Sequence, residues 1–139
     1  MRRAVITGLG IVSCIGNTKE AVAKSLRQGI SGISKSQGHE EHGFRSRVHG
    51  KPEIQIEDFV DKRQLRFMGD GAAFNFIAMQ DAITDSGLEE KEVSNERTGL
   101  IVGSGGPSTK NIFSAHKIVI EKGSPKRMGP FMVTRGMSS

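Results

Sequence analysis

Apolar and polar positions fall into short blocks along the chain, and the period changes from block to block. Ala4-Val5-Ile6 is an apolar run ending in Thr7-Gly8-Leu9-Gly10, the pattern of a buried strand that runs into a tight turn. In Asn17-Thr18-Lys19-Glu20, an Asn stands at an N-cap position with a Glu three residues later, a variant of the capping box. Ala21, Val22, Ser25 and Leu26 then share one helical face, and Gly29 supplies the stop. Strand, glycine turn and helix in that order open an α/β unit.

Residues 30–56 are punctuated by Ser, Gly and His and read as a surface excursion, with Phe44 to Val48 alternating as an exposed strand does. A helical pattern resumes near Asp58 and runs through Lys62-Arg63-Gln64-Leu65-Arg66-Phe67. It leads into a strong helix from about Gly71 to Ser86, with Ala72, Ala73, Phe76, Ile77, Met79, Ala82 and Ile83 apolar at three- and four-residue spacing. Gly87 closes it and Leu88 follows as the usual hydrophobic contact. Thr98-Gly99-Leu100-Ile101-Val102-Gly103 is the second buried-strand pattern, followed by the turn Ser104-Gly105-Gly106-Pro107. Ser108 caps a helix through about Glu121, whose inner side is Ile112, Ala115, His116, Val119 and Ile120. The last segment runs from Phe131 to Ser139.

Both strand patterns, at about 3–7 and 98–103, are near-continuous apolar runs, as in parallel strands covered by helices on both faces. A sheet normally has more strands than two, and the chain stops inside an apolar segment. The expectation is therefore a part of a larger α/β fold: two core parallel strands with flanking helices.

Composition narrows the classes. The chain has 139 residues, enough for one domain. Its 18 glycines far exceed the average usage of about 7%, which predicts tight turns and close backbone approaches. Seven Phe and no Trp or Tyr leave few platforms for stacked bases. The net charge of +5 is uneven: residues 1–70 carry +4, residues 71–97 carry −4 and residues 98–139 carry +5. Cys14 stands alone, which excludes an internal disulfide framework and a Cys-rich zinc site. No apolar run reaches the roughly 20 residues of a membrane span, and Gly8 and Gly10 interrupt any signal-like segment, so a cytoplasmic protein is the simplest account.

Candidate chemistry is mostly negative. Gly8-x-Gly10 lacks the third glycine of a dinucleotide fingerprint, since Ser13 holds its place, and no acid follows where a ribose would be bound. Gly103-Ser104-Gly105-Gly106 lacks the G-K-[ST] of a phosphate loop, and Val102 stands where a nucleophile elbow needs glycine. Cys14 in its turn reads as a small packed residue. His39 and His42 beside Glu40 and Glu41 read as a polar loop, because nothing nearby completes a metal site, and His49 and His116 are single. Lys62, Arg63 and Arg66 share one helical face, with Lys126 and Arg127 a second basic spot. Such faces are either solvated or receive an acidic partner.

The ordered set of segments is more specific than any one of them. Arg3-Ala4-Val5-Ile6-Thr7-Gly8-Leu9-Gly10-Ile11-Val12-Ser13 with Ile15-Gly16-Asn17, then Ser31-Gly32-Ile33, Arg66-Phe67-Met68, Thr98 to Gly106, and Gly129-Pro130 with Val133-Thr134 resembles the β-ketoacyl-[acyl carrier protein] synthases, nearest their type I bacterial branch. The resemblance covers nearly the whole chain.

It implies the N-terminal half, in part, of a thiolase-like layered αβαβα fold, a homodimer in the intact enzyme, and a decarboxylative condensation of fatty-acid synthesis. It implies no cofactor and no metal, acyl carrier protein as the partner, and neither nucleic acid nor membrane. The nucleophilic cysteine follows a third core strand expected beyond Ser139, and both catalytic histidines lie further on, so residues 1–139 carry no catalytic residue and the chain is inactive alone. Gly106 and Met137 match acyl-pocket or dimer-interface positions. Lys62, Arg63 and Arg66 match the carrier-protein docking patch, and Lys126 and Arg127 match it less closely. Two rival readings compete: a small basic module for an acidic protein or nucleic acid, and a small nucleotide-binding domain.

Overall fold

The computed structural model describes residues 3–137. It divides into two compact units, Met1–Ile54 with Ala78–Gly87, and Gln55–Ile77 with Leu88–Ser139.

In the first unit, α1 spans Lys19–Gln28. Its N-cap is Thr18 rather than the expected Asn17: the Thr18 hydroxyl accepts from the Ala21 N–H at 3.2 Å. Asn17 is engaged at longer range, accepting from the Ser13 N–H and donating to the Glu53 carbonyl at 2.8 Å. Gly29 ends the helix at φ 63, a left-handed cap that costs a glycine nothing. Of the face expected inward, Ser25 is buried and donates to the Ile15 carbonyl, whereas Leu26 is exposed.

The excursion contains a two-stranded antiparallel ribbon, β1 (Ile33–Lys35) on β2 (Val48–Gly50), with Ser34 opposite His49. The expected strand at 44–48 is shifted. The helix α2 (Gln37–Glu41) intervenes, the Phe44 ring lies 5.2 Å from His39, and pairing begins only where Ser36 N–H meets the Arg47 carbonyl at 2.7 Å. Half of α4 (Asp70–Ser86) also belongs here, and its C-terminal half packs on the N-terminal segment. A Cβ on Gly8 would overlap the Ala82 carbonyl oxygen and one on Gly10 that of Ala78. Those glycines let backbone lie against a helix, a packing role that needs no phosphate.

In the second unit, Val60, Ala73 and Ile77 are the buried apolar side chains among the described residues. The helical run expected from Asp58 to Phe67 breaks into a 3₁₀ turn at Ile56–Asp58 and the short α3, Lys62–Leu65. The chain leaves α3 at Arg66 because Phe67 turns onto Phe131, ring centroids 4.7 Å apart, edge to face. After the short α5 (Glu90–Val93) come α6 (Thr109–Lys122), a 3₁₀ turn at Pro125–Arg127, and α7 (Met132–Gly136). The inner side of α6 is rotated from the expected one. Asn111 is buried and Ala115, Ile118 and Val119 are partly covered, while His116 and Ile120 face outward. The cause is polar: Asn111 is hydrogen-bonded to α7.

Neither core parallel strand is formed. Residues 3–7 and 98–103 make no ladder among the described residues, and Ile6 is 82% and Ile101 96% exposed. A strand takes all its ladder hydrogen bonds from a neighbour, and neither segment makes such bonds among the described residues. Val5 and Leu100 are likewise uncovered.

So much wet apolar surface forgoes about 25 cal/mol per Å². The isolated chain should bind the dye ANS strongly and unfold over a broad range. A sharp two-state melt of a soluble monomer, without dye binding, would contradict this.

Candidate functional site

The second unit holds an open groove of about 570 Å³, within the range of small-molecule sites. Its walls are mainly apolar and come from both ends of the α6–α7 pair: Ile112 and Ala115 from α6, Met132 and Val133 from α7, with Met128 and Met137 at the ends of the connections. Met137 is thus in a groove wall. Gly106 stands one residue before the lining Pro107 and is not itself in the wall; its N–H and carbonyl both engage the Ser104 hydroxyl.

Lys62, Arg63 and Arg66 are all exposed, and none has a carboxylate within 4 Å among the described residues. Asp61 caps α3 by accepting from the Arg63 N–H at 2.7 Å, which fixes where the basic turn starts. The helix is only four residues long, so the shared face is one turn plus its C-cap, Arg66. Beyond it, the Phe67–Phe131 contact joins this basic turn to the segment that continues into Met132 of the groove. Lys126 and Arg127 are also exposed, on the 3₁₀ turn held by Ser124, and the next residue is the groove-lining Met128. Both basic spots are therefore coupled to elements that wall the groove.

The first unit has a smaller cavity of about 260 Å³ beside the start of α1. There Lys19 pairs with Asp85 of α4, and the second Asp85 oxygen accepts from the Leu9 N–H at 2.9 Å. The Lys19 ammonium, then the Leu9 N–H, hold the Asp85 carboxyl below its ordinary value, and the same hydrogen bond raises Lys19. Cys14 is half-buried, its sulfur close to Gly50 and its carbonyl to Gly32, a packed thiol. His39 packs between Phe44 and His49, and the His42 ring meets the Gly38 carbonyl at 2.7 Å. No three His, Cys, Asp or Glu among the described residues converge as a metal site. No described helix is long and apolar enough to cross a membrane.

Of the groove wall the sequence named Met137 but not Met128, Met132 or Asn111. Met128, Met132 and Met137 recur at four and five residues, a stripe that periodicity offers in outline. The tie between Asn111 and Arg135 spans 24 residues and leaves no local signal.

A small α/β piece with an apolar groove and two basic spots matches one family along its full length. The family model for the β-ketoacyl synthase N-terminal domain matches residues 1–139, and the chain belongs to that family. Among particular relatives, it is 45% identical over 139 residues to 3-oxoacyl-[acyl-carrier-protein] synthase 1 of Haemophilus influenzae. It is also 45% identical over 141 aligned residues to the protein of the same name from Escherichia coli K12. Each alignment takes in all of this chain and 34% of the relative, so the chain spans about a third of their length. The fold agrees with solved structures: the ishigamide ketosynthase/chain length factor at TM-score 0.82 and 25% identity, over 95% of this chain and 33% of that one. A β-ketoacyl synthase from Burkholderia phymatum STM815 agrees in fold at TM-score 0.78 and 24% identity, over 99% of this chain and 34% of that one. These bear out the thiolase-like α/β class expected from the sequence, although the two core strands are unpaired here.

The Lys19–Asp85–Leu9 corner yields a pH prediction. Asp85 is depressed on folding, so its contribution is present above the ordinary value near 3.8 and is lost as pH falls through the lower, folded value. Lys19 is raised, so its share is present below 10.5 and is lost as pH rises through the higher, folded value. The Leu9 amide resonance should therefore titrate with a midpoint below 3.8. In Asp85→Asn that titration should vanish. A midpoint at or above 3.8 would show that the corner does not form in solution.

Proposed function

We propose that this domain serves a 3-oxoacyl-[acyl carrier protein] synthase of fatty-acid biosynthesis, docking the carrier protein and walling the acyl groove while supplying no catalytic group. The observation that carries the reading is the 45% identity along all 139 residues to proteins named for that activity. In the intact enzyme the acyl group passes from the carrier protein to a cysteine thiolate, forming a thioester and freeing the carrier's thiol. Malonyl-carrier protein then loses CO₂, and its carbanion attacks the thioester carbonyl. The cysteine leaves as thiolate and 3-oxoacyl-carrier protein departs. Two histidines donate to the negative charge as it develops.

Residues 1–139 form the N-terminal portion of the synthase's N-terminal domain, with the third core strand and the nucleophile beyond it. Cys14, packed against Gly32 and Gly50, is structural, and His39, His42, His49 and His116 take no part in the chemistry. The carrier protein is acidic and meets Lys62, Arg63 and Arg66, whose exposure without carboxylate partners supports the assignment. Lys126 and Arg127 form a second contact beside the groove. Met137 walls the acyl site and reaches toward a second subunit of a cytoplasmic homodimer, with Gly106 next to that wall. No cofactor, metal, nucleic acid or membrane takes part.

Two measurements test this. The chain by itself, mixed with acyl- and malonyl-carrier protein, should give no 3-oxoacyl product. Product that disappears in Cys14→Ala would overturn the assignment of Cys14. In the full-length synthase, Lys62→Glu with Arg66→Glu should raise the apparent KM for acyl-carrier protein about three- to ten-fold at low salt and flatten its salt dependence. Turnover of a small acyl thioester should stay near that of the parent, because rim charges act on encounter rather than on chemistry. An unchanged KM at low salt would reduce the patch to a solvated face.

A further inference from the structure

The start of α6 and the end of α7 are joined by two hydrogen bonds that local sequence does not explain. The Arg135 carbonyl accepts from the Asn111 side-chain amide at 3.1 Å, and the Gly136 carbonyl accepts from the Ser108 N–H at 3.2 Å. Both carbonyls lie in the last turn of α7, where helical acceptors have no partner within the helix. The Asn111 amide also donates to the Ser108 hydroxyl at 2.8 Å, so one side chain braces both strands of the join. Asn111 is 4% exposed and itself stands in the groove lining, beside Ile112. Gly69 closes the arrangement: a Cβ there would come within 2.9 Å of the Arg135 carbonyl oxygen.

Immediately after these two carbonyls comes Met137, in extended backbone and in the groove wall. We infer that Asn111 is a positioning residue that fixes Met137 against the groove and thereby sets the length of acyl chain accepted. This rests on the reading of that groove as the acyl site. The physical reason is leverage. Without the Asn111 donor the Arg135 carbonyl is left unsatisfied next to a helix end, and the last turn of α7 can unwind toward solvent to satisfy it. Met137 moves with that turn, and the wall it forms moves too.

The test uses the full-length synthase that carries this segment and a series of acyl thioesters of increasing length. Asn111→Leu, close in volume but without a donor, should change the ratio of kcat/KM for long against short chains by about five-fold, the scale of one neutral hydrogen bond. Asn111→Gln, which keeps the amide, should retain most of the parent's preference. A merely structural role would lower all chain lengths together and leave the ratio alone, and that result overturns the inference. Should Asn111→Leu fail to fold, Ser108→Ala carries the test: it removes only the hydroxyl that steadies the amide, and a smaller shift in the same direction is expected. An unchanged ratio there also overturns it. Met137→Ala separates the two levels. If it leaves the preference unchanged, the acyl-wall reading falls and the inference with it; if it shifts the preference while the Asn111 and Ser108 variants do not, the tether alone is wrong.

Discussion

A helix closes its hydrogen bonds on itself, whereas a strand borrows every one of them from a neighbour. That difference organises this chain. α1, α4 and α6 form wherever the sequence supplies a cap and a compatible period, because nothing beyond 10 to 17 residues is needed to satisfy their backbones. The apolar segments at 3–7 and 98–103 have the composition of strands and make no ladder among the described residues. Their side chains consequently stand in the open, and the buried apolar set among the described residues reduces to Val60, Ala73 and Ile77. Among the described residues the only ladder that forms is β1 with β2, where the two strands lie within one short excursion and can find each other.

What could be read from the sequence follows the same division. The helices α1, α4 and α6 and the glycine stops at Gly29 and Gly87 were legible because their determinants lie within a few residues. Fold class and family were legible because the order of several modest motifs is far more specific than any motif alone. Cap identity was not: Thr18 and Asn17 are both competent, and the Glu53 carbonyl, 36 residues away, draws Asn17 off. Nor was the facing of α6 legible. Its apolar periodicity points toward Ile112 and Ile120, yet the hydrogen bond from Asn111 to Arg135 turns a polar residue inward. A buried amide with two partners outweighs an aliphatic face when no apolar surface waits to receive that face.

The site divides likewise. Exposed Lys62, Arg63, Arg66, Lys126 and Arg127 could be named from composition and spacing, since a surface charge needs no particular neighbour to be a surface charge. The groove required the connection from Gly123 to Phe131 to bring α6 and α7 together. Its methionines suit that setting, being unbranched and polarizable, able to fill a wall whose shape is set by helix ends rather than by a sheet.

The glycines at the N-terminus illustrate why such a chain invites misreading. Gly8 and Gly10 follow an apolar run, as a dinucleotide turn does, and close backbone approach is the physical need in both cases. What differs is the approaching group. Here it is the carbonyl side of α4, at Ala78 and Ala82, and carbonyl oxygens repel a phosphate. The same absence of a Cβ that elsewhere admits a ligand is used to seat a helix on an extended segment. With the helix seated, Asp85 at its far end comes within reach of the Leu9 N–H and Lys19, and the start of α1 is fastened to the end of α4. Glycine spacing states only that something must come close; the charge of what comes close has to be read from the partner.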